Sequence, residues 1–300
     1  MTKEGNMWKN IKIVNSADQN VLKYVFEKED AVAESVLYKY PTYENRTVIC
    51  CSTQSGCPVG CRFCGAGDYF VRSLTPDEIV SQPVRLLEDT KVDPKDIKRL
   101  QIMFMSMGEP MLNWDNVYTA ISRLNGYYPN AQLLVSTVGV NHKALCQLIN
   151  LGKIIDKVGL QFSIHEAWEE KRNELIPYKN KLTLRQIRDV GTEWYKETGR
   201  QVYLNYCVTP DNISYEEQAR LLDLFPPRIF AFTFSVVCEA NETMKDAHRK
   251  NIHLVNYTSE TFLKAGYNTR VFDPAGQDDI GGGCGQLWYV QDWMKNRENK

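Results

Sequence analysis

The sequence predicts an α/β protein of the parallel kind, a partial (β/α)6 TIM-like barrel. Three observations carry this expectation. Apolar, β-rich runs alternate with helical stretches along most of the chain, and continuous apolar runs each followed by a helix mark parallel βα units. No linker, repeat or composition shift divides the 300 residues, a length that suits one large domain with a substantial core. Polar residues gather just after the apolar runs, where barrels of this kind carry their chemistry. The expected organisation is a short N-terminal extension over residues 1–45, the barrel with a C-terminal cysteine loop over 46–290, and a polar tail over 291–300.

Each element follows from local chemistry. Strands are expected at Thr47–Thr53, Arg99–Ser106, Gln132–Val138, Val158–Ile164, Val202–Val208 and Ile229–Val237, with a last short one at Asn268–Phe272. The first helix opens at Thr75–Pro76–Asp77–Glu78, where Thr75 can cap, Pro76 fits the first turn and Glu78 completes a capping box. Pro83 is expected to interrupt or kink it. Further helices are expected at Asp115–Leu124, His142–Leu151, Leu184–Thr198 behind Thr183, Ser214–Phe225 and Ser259–Ala265.

The charge balance is near neutral, 36 Lys and Arg against 37 Asp and Glu. It gives no argument for nonspecific nucleic-acid binding, which needs a basic surface. A local basic patch is conceivable where Lys171, Arg172, Lys179, Lys181, Arg185 and Arg188 lie close in sequence, although such runs are more often solvated helix faces. Met1–Asn10 has no apolar core, and the longest apolar run, Ile229–Cys238, is too short to span a bilayer. Nine cysteines without a leader segment point to a reducing, cytoplasmic setting with no membrane partner.

The densest signal is Gly56–Cys57–Pro58–Val59–Gly60–Cys61–Arg62–Phe63–Cys64, three cysteines at Cys-x3-Cys-x2-Cys spacing. Three thiolates can hold three corners of a 4Fe–4S cube and leave one iron open for chemistry. The alternatives are a zinc site or unconnected buried cysteines. Structural zinc usually takes four ligands, and no second Cys-x2-Cys or nearby histidine is present. Met107–Gly108–Glu109–Pro110 follows the second strand, where glycine allows close approach and the carboxylate can accept from an ammonium group. Ser136 ends the third strand, and Ser163, Ile164 and His165 end the fourth. Near the C-terminus Asp278–Asp279–Ile280–Gly281–Gly282–Gly283–Cys284–Gly285–Gln286–Leu287 sets one cysteine among glycines, which can place it deep in a site.

The triad resembles the signature of the radical S-adenosylmethionine (SAM) superfamily. The chain as a whole resembles the RlmN/Cfr family of radical SAM RNA-adenine methyltransferases. The matching segments are Glu34–Ser35–Val36, Cys50 through Cys64, Met107–Asn113, Ser136–Val140, Ser163–His165, Arg172–Pro177 and Asp278–Leu287. Cys50, seven positions before the triad, and Cys284–Gly285–Gln286–Leu287 are the features particular to that family. The resemblance implies Cys57, Cys61 and Cys64 as iron ligands and a SAM site over Gly108, Glu109, Ser136, Ser163, Ile164, His165 and Ser235, with Phe63 against the adenine. It implies Cys284 as methyl carrier, Cys50 as the thiol that resolves an enzyme–RNA adduct by a Cys50–Cys284 disulfide, and Glu34 as general base. It also implies an RNA substrate, an external flavodoxin- or ferredoxin-like electron donor and a thiol reductant. Cys51 is expected to point away from Cys50 into the core, where Cys146, Cys207 and Cys238 are expected to pack as small apolar residues.

The chain departs from the family pattern in three places. Only about thirty residues precede Glu34, where the family has an accessory RNA-binding domain. Phe234–Ser235–Val236 stands for Asn-Pro-Phe, and Gly276–Gln277 replaces an arginine before the C-terminal motif. Two other functions remain open at this level. One is a radical SAM enzyme acting on another nucleotide or small molecule; the other is a non-catalytic cluster- or zinc-binding protein.

Overall fold

The computed structural model describes residues 7–67, 69–237, 244–272, 280–281, 287 and 289–298. Three antiparallel strands come first: β1 (Asn10–Asn15), β2 (Val21–Lys28) and β3 (Ala31–Lys39). Next come β4 (Thr47–Cys51), the hairpin β5 (Gln54–Gly56) and β6 (Phe70–Ser73), and α1 (Pro76–Thr90). The pattern then settles into β7 (Leu100–Phe104), α2 (Trp114–Tyr127), β8 (Gln132–Thr137), α3 (His142–Ile154) and β9 (Val158–Ser163). It continues with α4 (Glu169–Leu175), α5 (Leu184–Thr198), β10 (Val202–Val208), α6 (Tyr215–Leu224) and β11 (Phe230–Val236). The chain ends in α7 (Met244–Lys264), β12 (Thr269–Phe272) and α8 (Tyr289–Glu298).

A ten-stranded sheet has the order β1-β2-β3-β4-β7-β8-β9-β10-β11-β12. From β4 to β12 each neighbour pairs in parallel, so six βα units and a last strand succeed one another, as the partial (β/α)6 barrel requires. The seven strands read from the sequence are all present. Residues before 46 do more than extend the barrel: β1–β3 join its sheet through the antiparallel β3–β4 pair. Strand β3 is buried on both faces, so it lacks the alternation that would have marked it in the sequence. Residues 291–298, read as part of a polar tail, fall within α8.

Helix α1 has the expected Thr75–Glu78 capping box. It runs through Pro83 without interruption, because one lost backbone bond is outweighed by a buried face that includes Ile79, Pro83, Leu86 and Leu87. The helix expected at Ser259–Ala265 was too short, since α7 begins at Met244, and α4 was not read at all. The outward strand faces pack under the helices in one large core, where Phe225, Phe230, Phe232, Phe234, Phe262 and Tyr267 form a connected set of ring contacts. The inward faces mix polar residues such as Gln101, Gln161, Asn205 and Thr233 with Met103, Leu134 and Tyr203, and leave a hollow interior.

Candidate active site

The hollow is a cavity of about 1020 Å³. Its lining gathers Cys50, Cys57, Cys61, Cys64, Gly108, Glu109, Ser136, Ser163, His165 and Ser235. These are predicted site residues from the C-terminal ends of five of the parallel strands, β4, β7, β8, β9 and β11. Two predicted residues, Glu34 and Ile164, are fully buried and do not line it. Cys284, Cys238 and Gly276–Gln277 lie outside the described residues.

The cysteine loop is held at its base. Strands β5 and β6 bracket it, and the Cys57 N–H donates to the Tyr69 carbonyl at 2.8 Å. Gly56 has φ +74°, and a Cβ there would meet the Tyr69 oxygen at 2.0 Å, so only glycine closes the loop. The Arg62 N–H donates to the Leu175 carbonyl at 2.9 Å, tying the loop to α4. Beneath it, Gln82 of α1 accepts from the Ser52 N–H at 2.8 Å and from Ser35 Oγ at 2.6 Å, and donates to the Ser52 carbonyl at 3.0 Å. Asn113 donates to the carbonyls of Thr53 and Leu74 at 2.7 and 2.8 Å, locking the strand before the loop to the turn after β7.

Burial pushes the Cys57 and Cys61 thiols above their usual range, and neighbouring cysteines push them further. Thiolates crowded and desolvated in this way need a cationic centre to persist. That donor set fits iron: a cube takes one thiolate per corner. Among the described residues no three His, Cys, Asp or Glu side chains converge as ligands of one ion, and a cube does not ask for that.

Glu109 is almost fully buried. Its Oε1 accepts from the Met111 N–H at 3.0 Å and its Oε2 from the Val138 N–H at 2.9 Å. Burial raises its pKa to about 7 despite these bonds. A buried carboxyl beside an open cavity is suited to an ammonium group, whose charge would hold it ionised. Gly108 has φ +99°, and a Cβ would press on Gln54 at 2.6 Å. Gln54 fixes the turn by accepting from the Glu109 N–H at 2.8 Å.

His165 has φ +58°, a left-handed backbone uncommon for a non-glycine residue. Its Nδ1 accepts from the Cys207 N–H at 3.1 Å, which leaves Nε2 as the protonated nitrogen. Burial, with Arg172 nearby, lowers its pKa to about 3, so the ring is neutral. It meets Phe63 edge to face at 4.8 Å. Ile164 contributes backbone, its N–H donating to the Asn205 carbonyl at 3.1 Å. Ser136 Oγ accepts from Gln161 at 3.1 Å.

Two side chains missed at the sequence level complete the site. Asn205 lines the cavity opposite Ser163 in the β9–β10 register, and Ser235 Oγ donates to its Oδ1 at 3.0 Å. An amide is therefore supplied by the neighbouring strand beside Ser235. The second is Lys23, whose ammonium pairs with Glu34 at 2.6 Å and donates to the Gly281 carbonyl at 3.2 Å. The other Glu34 oxygen accepts from the Tyr289 N–H at 3.2 Å. Burial pulls the Glu34 carboxyl above the usual range while Lys23 pulls it down. Lys23 sits between the apolar Leu22 and Tyr24 of β2, which was the available signal. The pair grips the chain on both sides of the Cys284 loop. Ile280 and Leu287, which flank that loop, pack with Val21, Val36, Tyr38 and Val48, with Cys50 against them.

The remaining cysteines sort by face. Cys51 is fully buried behind Cys50, and Cys207 is buried. Cys146 is only half-buried on α3, because its side chain lies toward the helix edge near His142. No disulfide joins the described cysteines. The basic run considered along the chain is thinned by the fold: Arg172 is fully buried, donating to the carbonyls of Val138 and Leu182, Lys171 pairs with Glu217 and Arg188 with Asp189, while Lys179 and Arg185 stay exposed. Among the described residues no helix is long and apolar enough to cross a membrane.

No protein-family model matches the chain. Curated relatives do. The chain is 32% identical over 256 residues to a probable dual-specificity RNA methyltransferase RlmN from Chlorobium phaeobacteroides, covering 81% of this chain and 67% of that protein. Proteins of the same description from Finegoldia magna (31% identical, 92% of this chain and 77% of theirs) and Thermotoga neapolitana (32%, 88% and 75%) are similar. Among solved structures, a radical SAM methyltransferase from Sphaerobacter thermophilus superposes with a TM-score of 0.78 at 24% identity, over 92% of this chain and 80% of that one. Streptococcus suis SuiB bound to S-adenosylmethionine shares the fold more distantly, at TM-score 0.54 and 14% identity, over 80% and 52% of the two chains. With fold, cavity and relatives in agreement, the chain belongs to the RlmN family.

Proposed function

We propose that this chain is a radical SAM methyltransferase that methylates an adenine carbon in RNA, with Cys284 as methyl carrier and Cys50 as resolving thiol. The observation that carries the reading is that the cysteine triad, Glu109 and the strand-end serines line one cavity beside Cys50. The RlmN relatives, described as RNA methyltransferases, supply the substrate class.

Bound there, a 4Fe–4S cluster and SAM would supply a radical able to take a hydrogen atom, which an unactivated adenine carbon requires. Cys57, Cys61 and Cys64 would hold three irons. Glu109 would accept from the SAM ammonium, and Ser136, Ser163, the Ile164–His165 backbone and the Asn205–Ser235 pair would offer the remaining polar contacts. Phe63, which meets the neutral His165 ring edge to face, would shield the adenine from water. Glu34 stands as the candidate proton acceptor, poised by Lys23 and within the framework that holds the Cys284 loop. An electron donor and a thiol reductant complete the cycle, the latter to reopen a Cys50–Cys284 disulfide.

Two measurements test this. After anaerobic reconstitution and incubation with SAM and a reductant, peptide mass spectrometry is expected to find one methyl group on Cys284 and 5′-deoxyadenosine in solution. A Cys50→Ala variant is expected to accumulate a covalent RNA adduct on Cys284. An intact cluster with Cys284 unmodified and no adduct would overturn the reading.

A further inference from the structure

The cavity does not stop beneath the SAM residues. Its lining continues to the opposite ends of the same strands, where Arg46, Arg99 and Arg270 open it to solvent. Each sits at a strand start: Arg46 precedes β4, Arg99 precedes β7, and Arg270 is the second residue of β12. Parallel order gathers such starts at one mouth. The β4–β7 register sets Thr47 against Leu100, so Arg46 and Arg99 are neighbours, and β12 brings Arg270 from the far end of the sheet.

Among the described residues the three guanidinium groups make no ion pair. The ion pairs that arginines make among the described residues belong to Arg72, Arg85, Arg123, Arg188 and Arg249. Asp156 lies on the same lining, where its charge acts on Arg200. Two of the three are also held rigidly. Arg46 stacks on Tyr40 with 4.9 Å between the guanidinium carbon and the ring centroid, and its Nε donates to Gln101 at 3.1 Å. Gln101 is fixed in turn by donating to Gln132 at 3.0 Å. Arg270 lies over Tyr203 at 3.9 Å and donates to its hydroxyl at 2.6 Å. Burial and mutual repulsion lower the pKa values of Arg46 and Arg270, so the groups feel one another across the opening.

Like charges held together by stacking, with donors still unspent, describe a site waiting for an anion. A recessed mouth with protein walls strengthens the field that such an anion would feel. We propose that the N-terminal mouth of the barrel is a phosphate-binding site, in which Arg46, Arg99 and Arg270 together take the oxygens of a phosphorylated ligand. The chemistry at the other mouth is not a premise of this proposal. The phosphate can come from a free polyphosphate or from a nucleic-acid backbone, and the two sources separate experimentally.

The test uses the full chain and titrates inorganic tripolyphosphate, and separately a short labelled single-stranded RNA, by calorimetry and fluorescence anisotropy. Arg99→Gln/Arg270→Gln is the informative variant, because both side chains reach solvent and the one polar partner lost, the Tyr203 hydroxyl, belongs to a half-buried residue. Arg188→Gln, which removes an exposed arginine already paired with Asp189, is the control. Saturable binding of at least one probe is expected, weakened roughly tenfold or more in the double variant and unchanged in the control. Tripolyphosphate binding assigns a free polyphosphate; binding of RNA alone assigns a backbone phosphate. Circular dichroism and thermal melting of the same samples separate loss of the site from unfolding. The proposal fails if neither probe binds the parent protein, or if a folded double variant binds as tightly as the parent.

Discussion

The two ends of the barrel are built from the same strands and are chemically opposite. At the C-terminal ends, functional groups are buried, satisfied by backbone and few in charge: Glu109 accepts two N–H groups, His165 is neutral, and three thiols share a glycine-pinned loop. At the N-terminal ends, three arginines face water without carboxylate partners among the described residues. A parallel sheet has direction, and its two ends carry independent chemistry. The C-terminal end must position groups at the cost of stability, whereas the N-terminal end must only tolerate repulsion. Substitutions at the two ends should therefore differ in kind.

The largest effect is expected at the cysteine loop. Cys61→Ala should abolish the visible absorbance of reconstituted protein and reduce SAM cleavage by about 1000-fold or more, since a cluster site loses its function as a unit. Circular dichroism should stay native, because the loop is fixed by Gly56, Tyr69 and Leu175 through backbone contacts. Retained brown colour with full cleavage would remove the C-terminal end from the comparison.

Lys23→Met ranks next. It leaves Glu34, fully buried, without its ammonium partner. Breaking one side of a buried pair typically costs about 3–5 kcal/mol, so urea denaturation should show a loss of that size. Lys23→Met/Glu34→Gln should recover most of it. If the single variant is as stable as the parent, the pair does not tether the Cys284 loop.

Glu109 adds pH to the comparison. Its folded-state pKa of about 7 lies above the unfolded value near 4.5. The folded protein therefore binds this proton more tightly than the unfolded chain does. Its contribution to stability is fully present below pH 4.5 and is lost as pH rises through 7, a change of about 3 kcal/mol. His165 acts in the opposite sense, since its depressed pKa favours the folded state above the unfolded value and loses that benefit toward pH 3. Glu109→Gln isolates the first effect. Melting of cluster-free protein should show the variant gaining on the parent between pH 5 and pH 8, while SAM affinity falls roughly 10- to 100-fold. A constant difference in melting temperature across that range would mean that Glu109 does not titrate there.

Much of the C-terminal end was legible in the sequence because its signals are local. Cysteine spacing, Gly108–Glu109, and the serines and His165 at strand ends all lie within a few residues of the element that positions them. Asn205 and Lys23 were not legible, because their roles depend on which strand lies alongside: Asn205 faces Ser163, 42 positions earlier in the chain, only through the β9–β10 register. Strands β1–β3 were missed for a related reason, since β3 is buried on both faces and pairs antiparallel to the barrel. The arginine mouth was the least legible. Composition pointed instead to the run from Lys171 to Arg188, where the fold spends Lys171 on Glu217, Arg188 on Asp189 and Arg172 on buried carbonyls.

The smallest effect is expected at that mouth, and its sign is the informative part. Arg99 is exposed and makes no ion pair among the described residues, while Arg46 and Arg270 repel it across the opening. Arg99→Gln removes repulsion and breaks no buried contact. The protein should therefore be unchanged or slightly more stable, within about 0.5 kcal/mol, in phosphate-free buffer at low salt. Raising the salt should shrink the gain, because screening acts over about 10 Å at 0.1 M and already weakens the repulsion in the parent. Adding tripolyphosphate should reverse the order, since the parent then gains a ligand that the variant holds less tightly. Melting curves in the three buffers measure this directly. A variant less stable than the parent in all three would make Arg99 an ordinary structural residue and erase the contrast between the two ends.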